Sequence, residues 1–358
     1  MFLSLLIAFF SLIFLLILHE FGHFILAKKF GVKVEEFGIF YPPRIFAKRI
    51  GQTVYSLNLL PLGAFVKIYG EREEKDPQAL GAKSIWQRAL VILGGVFSFW
   101  IISAVLFSIV MGSGFTQAVT DTANGDLVDI KVQIVGLAPE SPAEKAGLKV
   151  GDTIVKIKSQ KLEIKSIDKT SQVKEFIQTH EGEVTLIIQR GREIFDVSLT
   201  PRVSPPTGEG PMGVGLVRTA QKKYPPVEAL FRGIFFTLET TYFALKGWGM
   251  AFKNLFSGLP TGIELMGPVG VFSLLSQAAS QNINYFLQFV ATISIYVALF
   301  NILPIPPTDG GKLVFLFVEK LRGKKVSEKL EIAITSIFLL LLIVLMILTT
   351  IKDIQKFF

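Results

Sequence analysis

The chain has 358 residues and no cysteine. That absence excludes disulfides and thiolate metal sites, and it removes the usual clue to redox compartment. Histidine is scarce as well, with three in all. Charge is thin: 18% of the residues are Asp, Glu, Lys or Arg, against about a quarter in a soluble protein. Apolar residues fill the gap, at 50% of the chain with 32 Phe and a mean hydropathy of +0.51. A membrane protein is the first expectation. The net charge of +8 raises nucleic acid as a partner. The basic residues, however, crowd beside apolar segments rather than on one polar domain, as cytoplasmic flanks of membrane proteins do. No nucleic-acid partner is expected.

Four stretches read as membrane spans. Residues 1–27 open the chain, and their first 18 carry no charged side chain, where about 20 apolar residues cross a bilayer. A signal peptide fits poorly, because no basic segment precedes the apolar run and no small-x-small cleavage site follows it. Residues 89–111, 284–303 and 333–352 are the other three spans. Between the first two, residues 28–88 form a basic, cytoplasmic segment whose apolar part, "TVYSLNLLPLGAFVKIYG" (53–70), is rich in strand formers and predicts a re-entrant β-loop at the membrane edge. Residues 115–210 alternate apolar and polar positions in short strands around one helix candidate, "SQVKEFIQTH". They predict a soluble α+β domain. Residues 226–282 are amphipathic and aromatic, interrupted by Glu228, Arg232, Glu239, Lys246 and Lys253, and read as helices on the membrane surface. A span over 227–257 stays open. Basic loops on one side predict a topology with both termini and the soluble domain outside the cytoplasm. The expected fold class is therefore a polytopic α-helical membrane protein of about four spans, with a membrane-associated β-hairpin region and a soluble α+β domain.

Two of the three histidines stand in "HEFGH" at 19–23, at the end of the first span. Residues four apart share a helix face, so His19 and His23 can grip one ion together. Glu20 points to the neighbouring side, free to take a proton. Two imidazoles and an oxygen ligand suit zinc with a position left open. The motif arises by chance at times, and the bland reading is a coincidence of composition. Ionisable groups inside an apolar helix are expensive and usually functional, and a bound cation relieves that cost. His180 lies in the soluble segment and cannot serve. The acidic candidate is Asp309 in "FNILPIPPTDGGKLV" (300–314), which arrives at the same cytoplasmic depth after the third span. Three prolines and two glycines there predict a non-helical turn over 304–314 from which the carboxylate projects. A plain turn aspartate is the alternative.

"HEFGH" in a first span together with "NILPIPPTDGG" near a later one resembles the site-2 protease family (M50) of intramembrane zinc metalloproteases. The likeness is to its bacterial regulator-of-sigma-E protease branch and extends over nearly the whole chain. "PLGAFVKIYGE" (61–71) is similar to that branch's membrane-reentrant β-loop, "SPAEKAGLKVGDTIVKI" (141–157) to a PDZ domain and "MGPVG" (266–270) to a segment before the third span. The resemblance implies His19, His23 and Asp309 as Zn2+ ligands, Glu20 as catalytic base, and Asn301, Gly63 and Phe65 as residues that contact substrate. It implies an endopeptidase that cuts single-span membrane proteins, such as an anti-sigma factor or a remnant signal peptide, in the bacterial inner membrane. Thr308 departs from the usual Leu, and Ala64 follows Gly63 where the family has paired glycines.

A helical substrate resists attack until it opens, and opened amides in lipid lack partners. A strand from 53–69 could supply them by β-augmentation. The PDZ-like domain admits two roles, capture of a peptide C-terminus or steric exclusion of bulky substrates. Two other function classes compete: a non-catalytic PDZ-bearing membrane adaptor with a structural metal, and a metal transporter. Glu20 argues against the first, because a structural site needs no base. The single intramembrane cluster argues against the second.

Overall fold

The computed structural model describes residues 2–72, 75–123, 127–159, 163–164, 166–180, 182–191, 193–261 and 266–357. The chain divides into two compact units. The first comprises Met1–Ile109, Leu230–Ala279 and Leu287–Phe358; the second comprises Val110–Ala229 and Ser280–Phe286.

The first unit opens with α1 (Phe2–Lys29), followed by strands β1 (Val34–Ile50) and β2 (Thr53–Ile68), and then α2 (Ile85–Ser113). The expected cytoplasmic loop is therefore mostly sheet. Residues 36–39 of β1 pair on one side with 64–67 and on the other with 54–57, while 44–50 pair with 53–58. The two strands thus fold back into four antiparallel rows, in the order 64–68, 34–39, 54–58, 44–50. The sequence reading placed strand only in the second half. Pro42, Pro43 and the charges of 44–49 hid the first half, because Pro and Lys are poor strand formers.

In the second unit lie β3 (Phe115–Val119), β4 (Val128–Leu137), α3 (Pro142–Lys145), β5 (Thr153–Lys158), β6 (Glu163–Ile164), α4 (Thr170–Thr179), β7 (Val184–Arg190), β8 (Glu193–Leu199) and β9 (Val214–Lys222). One seven-stranded sheet runs β3-β9-β4-β5-β7-β8, with β6 beside β5. Alternate residues such as Val132, Ile134, Ile154, Val184, Leu186 and Ile188 bury on one face against Val173, Phe176 and Ile177 of α4. The sheet extends beyond the expected boundary at 210, since β9 sits between β3 and β4. His180 ends α4 with its Nδ1 2.9 Å from the Phe176 carbonyl.

The start of α4 is capped from outside the helix. Asp121 accepts hydrogen bonds from the N–H groups of Thr170 (3.0 Å) and Ser171 (2.8 Å) and from the Thr170 hydroxyl (2.9 Å). Burial alone would push its carboxyl up, but those donors hold it below the usual carboxylate range. Its stabilisation is therefore present above the unfolded pKa of about 3.9 and lost as pH falls through the folded value. Asp121→Ala should lower the stability of this unit by about 1 kcal/mol at pH 7. Hydrogen-exchange protection of the α4 amides will report it. The gap to wild type should close towards pH 2, and equal protection at pH 7 would refute the cap.

The rest of the chain supplies α5 (Pro226–Phe256), α6 (Pro268–Gln281), α7 (Ile283–Ile302), α8 (Asp309–Arg322) and α9 (Glu328–Phe357). Residues 262–265 of the expected surface-helix segment fall outside the described residues. Helices α1, α2, α7 and α9 are long and apolar enough to cross a membrane, and each overlaps an expected span. Together with the relatives reported below they make this a multi-pass membrane protein. Helix α5 turns small residues, Ala229, Gly233, Thr237, Ala244 and Ala251, to its buried side. Phe231, Phe235, Leu238 and Tyr242 are exposed.

Candidate active site

His19 and His23 sit one turn apart near the C-terminal end of α1. The helix persists through them because no Gly–Pro break intervenes, and Lys28 and Lys29 complement its dipole in the last turn. Gly22 is the one small residue between them. It lies against Gly94 of α2 so closely that a Cβ on either would strike the other's backbone. Gly95 lies beside both imidazoles, and a Cβ there would occupy their space. The Gly94-Gly95 pair is thus the recess in α2 that receives the "HEFGH" face. A glycine pair inside an apolar span was the available signal, and it went unread.

Helix α2 also orients the rings. The Val91 carbonyl lies 2.8 Å from His23 Nδ1. A carbonyl only accepts, so Nδ1 carries the proton and the Nε2 lone pair faces the cluster. Phe99 stacks on His19 with ring centroids 4.8 Å apart.

Asp309 comes from 290 residues further along. It is the first residue of α8, not part of a non-helical turn as expected. Pro306 and Pro307 cannot donate to a helix, so the helix starts just after them, with Thr308 at its N-cap position. The Thr308 hydroxyl donates to Leu303 O (2.9 Å) and Ile305 O (2.8 Å). The residue that departs from the family pattern therefore ties down the turn. Gly310 and Gly311 press on the backbone of 302–306, where no side chain fits.

These elements bring three donor atoms together. His19 Nε2 and His23 Nε2 lie 3.2 Å apart, and each is 3.5 Å from Asp309 Oδ2. Tetrahedral zinc with bonds of about 2.0–2.1 Å separates neighbouring ligand atoms by about 3.3–3.4 Å. All three residues are at most 9% exposed. Asp309 Oδ2 is buried and meets no hydrogen-bond donor among the described residues. Lone pairs converging in a buried site need a cation between them, and two imidazoles with one carboxylate fit zinc.

Glu20 faces the neighbouring side, as its place on the helix dictates. Its Oε2 accepts a hydrogen bond of 3.1 Å from the Val66 N–H, which lies on the outermost row of the four-row sheet. A cavity of about 380 Å³ joins the parts. Its walls include His19, Glu20, His23, Asp309, Phe65, Val66 and Asn301. Asn301 donates to Val297 O at 2.9 Å. Gly63 is not on that wall; with φ +144° it packs near Leu16 and Tyr41. Arg88, read from the sequence as a loop cation, is buried on the same wall and paired to Glu319.

The profile of peptidase family M50 matches residues 7–345. A Clostridium perfringens chain carried under a zinc metalloprotease name is 33% identical, with 95% of each chain covered. The zinc metalloprotease RasP of Geobacillus kaustophilus is 28% identical over 96% of each chain. The regulator of sigma-W protease RasP of Bacillus subtilis is 27% identical, also over 96% of each.

Proposed function

The chain belongs to peptidase family M50 and is a zinc metalloprotease of the membrane; from that premise we propose that it cuts single-span membrane proteins in or beside their span, with His19, His23 and Asp309 as ligands and Glu20 as base. The observation that carries this is the Glu20–Val66 contact, because it sets the catalytic carboxylate at the free edge of a sheet. Zinc, when bound, supplies a Lewis acid that polarises the scissile carbonyl and activates water near neutral pH. Glu20 takes the proton from the attacking water and returns it to the leaving amide nitrogen. The row 64–68 offers its outer N–H and C=O groups to the opened substrate segment, replacing the hydrogen bonds the substrate helix gives up. Phe65 shapes the slot beside that row, and Asn301 steadies the substrate chain or the developing oxyanion. Gly63, outside the cavity wall, lets β2 turn towards it.

The seven-stranded unit is proposed as a PDZ-like domain outside the cytoplasm. There it excludes substrates with bulky outer domains or holds a peptide C-terminus. The enzyme would reside in a bacterial inner membrane with both termini outside the cytoplasm. The Bacillus subtilis relative's name links it to a sigma factor, which supports an anti-sigma factor or a remnant signal peptide as the substrate type.

Val66→Pro tests the edge. It removes the N–H that faces Glu20 on a row edge where proline is tolerated. It should lower kcat/KM for a reconstituted single-span substrate about tenfold, one hydrogen bond's worth, at unchanged zinc content. Val66→Ala keeps the N–H and should stay near wild type. Equal rates for the proline and alanine variants would remove the edge from the reading.

A further inference from the structure

The cavity beside the donor cluster is walled in part by one face of α2 and one face of α8. Along α2 the face carries Arg88, Val91, Ile92 and Gly95, spaced three and four residues apart; along α8 it carries Asp309, Lys312, Leu316 and Glu319. The donor cluster and the Arg88–Glu319 pair both line the cavity, with Arg88 Nη1 2.6 Å from Glu319 Oε1 and Nη2 3.0 Å from Oε2. Both side chains are little exposed, at 11% and 15%.

A buried ion pair contributes little net stability compared with an apolar pair of the same volume. What a two-pronged guanidinium–carboxylate contact supplies is geometry, because both prongs must align. Here the two residues stand 231 apart in sequence and join the helix that orients His23, through the Val91 carbonyl, to the helix that begins with Asp309. Arg88 lies about two turns from Gly95, and Glu319 about three turns from Asp309. A shift of α8 along α2 would move Asp309 Oδ2 off its equal 3.5 Å distances from the two imidazoles. We propose that Arg88 and Glu319 are positioning residues: their two-pronged pair locks α8 against α2 and so holds the Asp309 carboxylate in place as a metal ligand. The inference rests on the ligand reading given above.

The test uses purified full-length protein in detergent, with folding checked by circular dichroism and gel filtration. Zinc loss to an excess of chelator is timed, the visible spectrum of the cobalt(II)-substituted protein is recorded, and kcat and KM are measured separately. Arg88→Gln and Glu319→Gln should release zinc about 10–100-fold faster, the range for partners that orient a ligand. Their cobalt bands should shift, and kcat should fall while KM stays within about twofold. Arg88→Lys, which keeps the charge but not the fork, should fall between. The exchanged pair Arg88→Glu with Glu319→Arg should recover slow release. Wild-type release rates and cobalt spectra in the Gln and Lys variants would overturn the proposal, even if their thermal stability dropped. Asp309→Ala runs alongside. Fast zinc loss there with wild-type retention in Arg88→Gln sinks the positioning pair alone. Zinc retention in Asp309→Ala sinks the ligand reading beneath it.

Discussion

Glu20→Gln should stop peptide cleavage and leave the metal where it is. The substitution keeps side-chain volume, and the amide oxygen can still accept from the Val66 N–H that Glu20 engages at 3.1 Å. It removes a carboxylate on the cavity wall placed to take a proton from water beside the two imidazoles. General-base removal typically costs 10²–10⁴-fold, or about 3–5 kcal/mol of barrier. The measurement is cleavage of a tagged single-span substrate in liposomes, with zinc quantified in the same preparation. Cleavage within tenfold of wild type at equal zinc content would strip Glu20 of its role. The same experiment separates a protease from a membrane adaptor with a structural metal, which would lose nothing.

Asp309→Ala should act on the metal itself. Two imidazoles 3.2 Å apart remain, but the third corner of the cluster is gone, and with it the negative charge that balances the cation. Loss of a direct ligand should exceed the 10–100-fold affinity cost typical of an outer partner. After dialysis against a moderate chelator, the variant should hold well under one zinc per chain and cleave no substrate. Asp309→Asn preserves the shape of the α8 start and should show the same loss through charge and donor chemistry alone. Stoichiometric zinc in both variants would remove Asp309 from the ligand set.

The chemistry of this protein was easier to read from sequence than its supports. The four-residue spacing of His19 and His23 declares a shared helix face, and the apolar surroundings make that face costly without a cation. Asp309 could be chosen by membrane depth, because spans and basic loops order the chain across a bilayer. The start of α8 was misplaced, since Pro306 and Pro307 read as a loop although proline blocks only what precedes a helix. Residues 34–50 read as a charged loop because their partners are set by a fold-back with two pairings per residue, which no local period reports. Arg88 looked like one more cytoplasmic cation until Glu319 lay beside it. Gly94 and Gly95 matter for what they leave room for, and a missing side chain leaves no periodic trace.

The four-row sheet has two outer margins, and they are furnished differently. One runs past Glu20, whose carboxylate accepts from the outward Val66 N–H. The other, 44–50, is exposed and follows Pro42-Pro43; beside Ile45, Phe46 and Ile50 it carries Arg44, Lys48 and Arg49. Margins so charged repel a second copy of themselves and discourage stray annealing. On the proposed reading the sheet then receives an unwound chain on one flank only, the one beside Glu20.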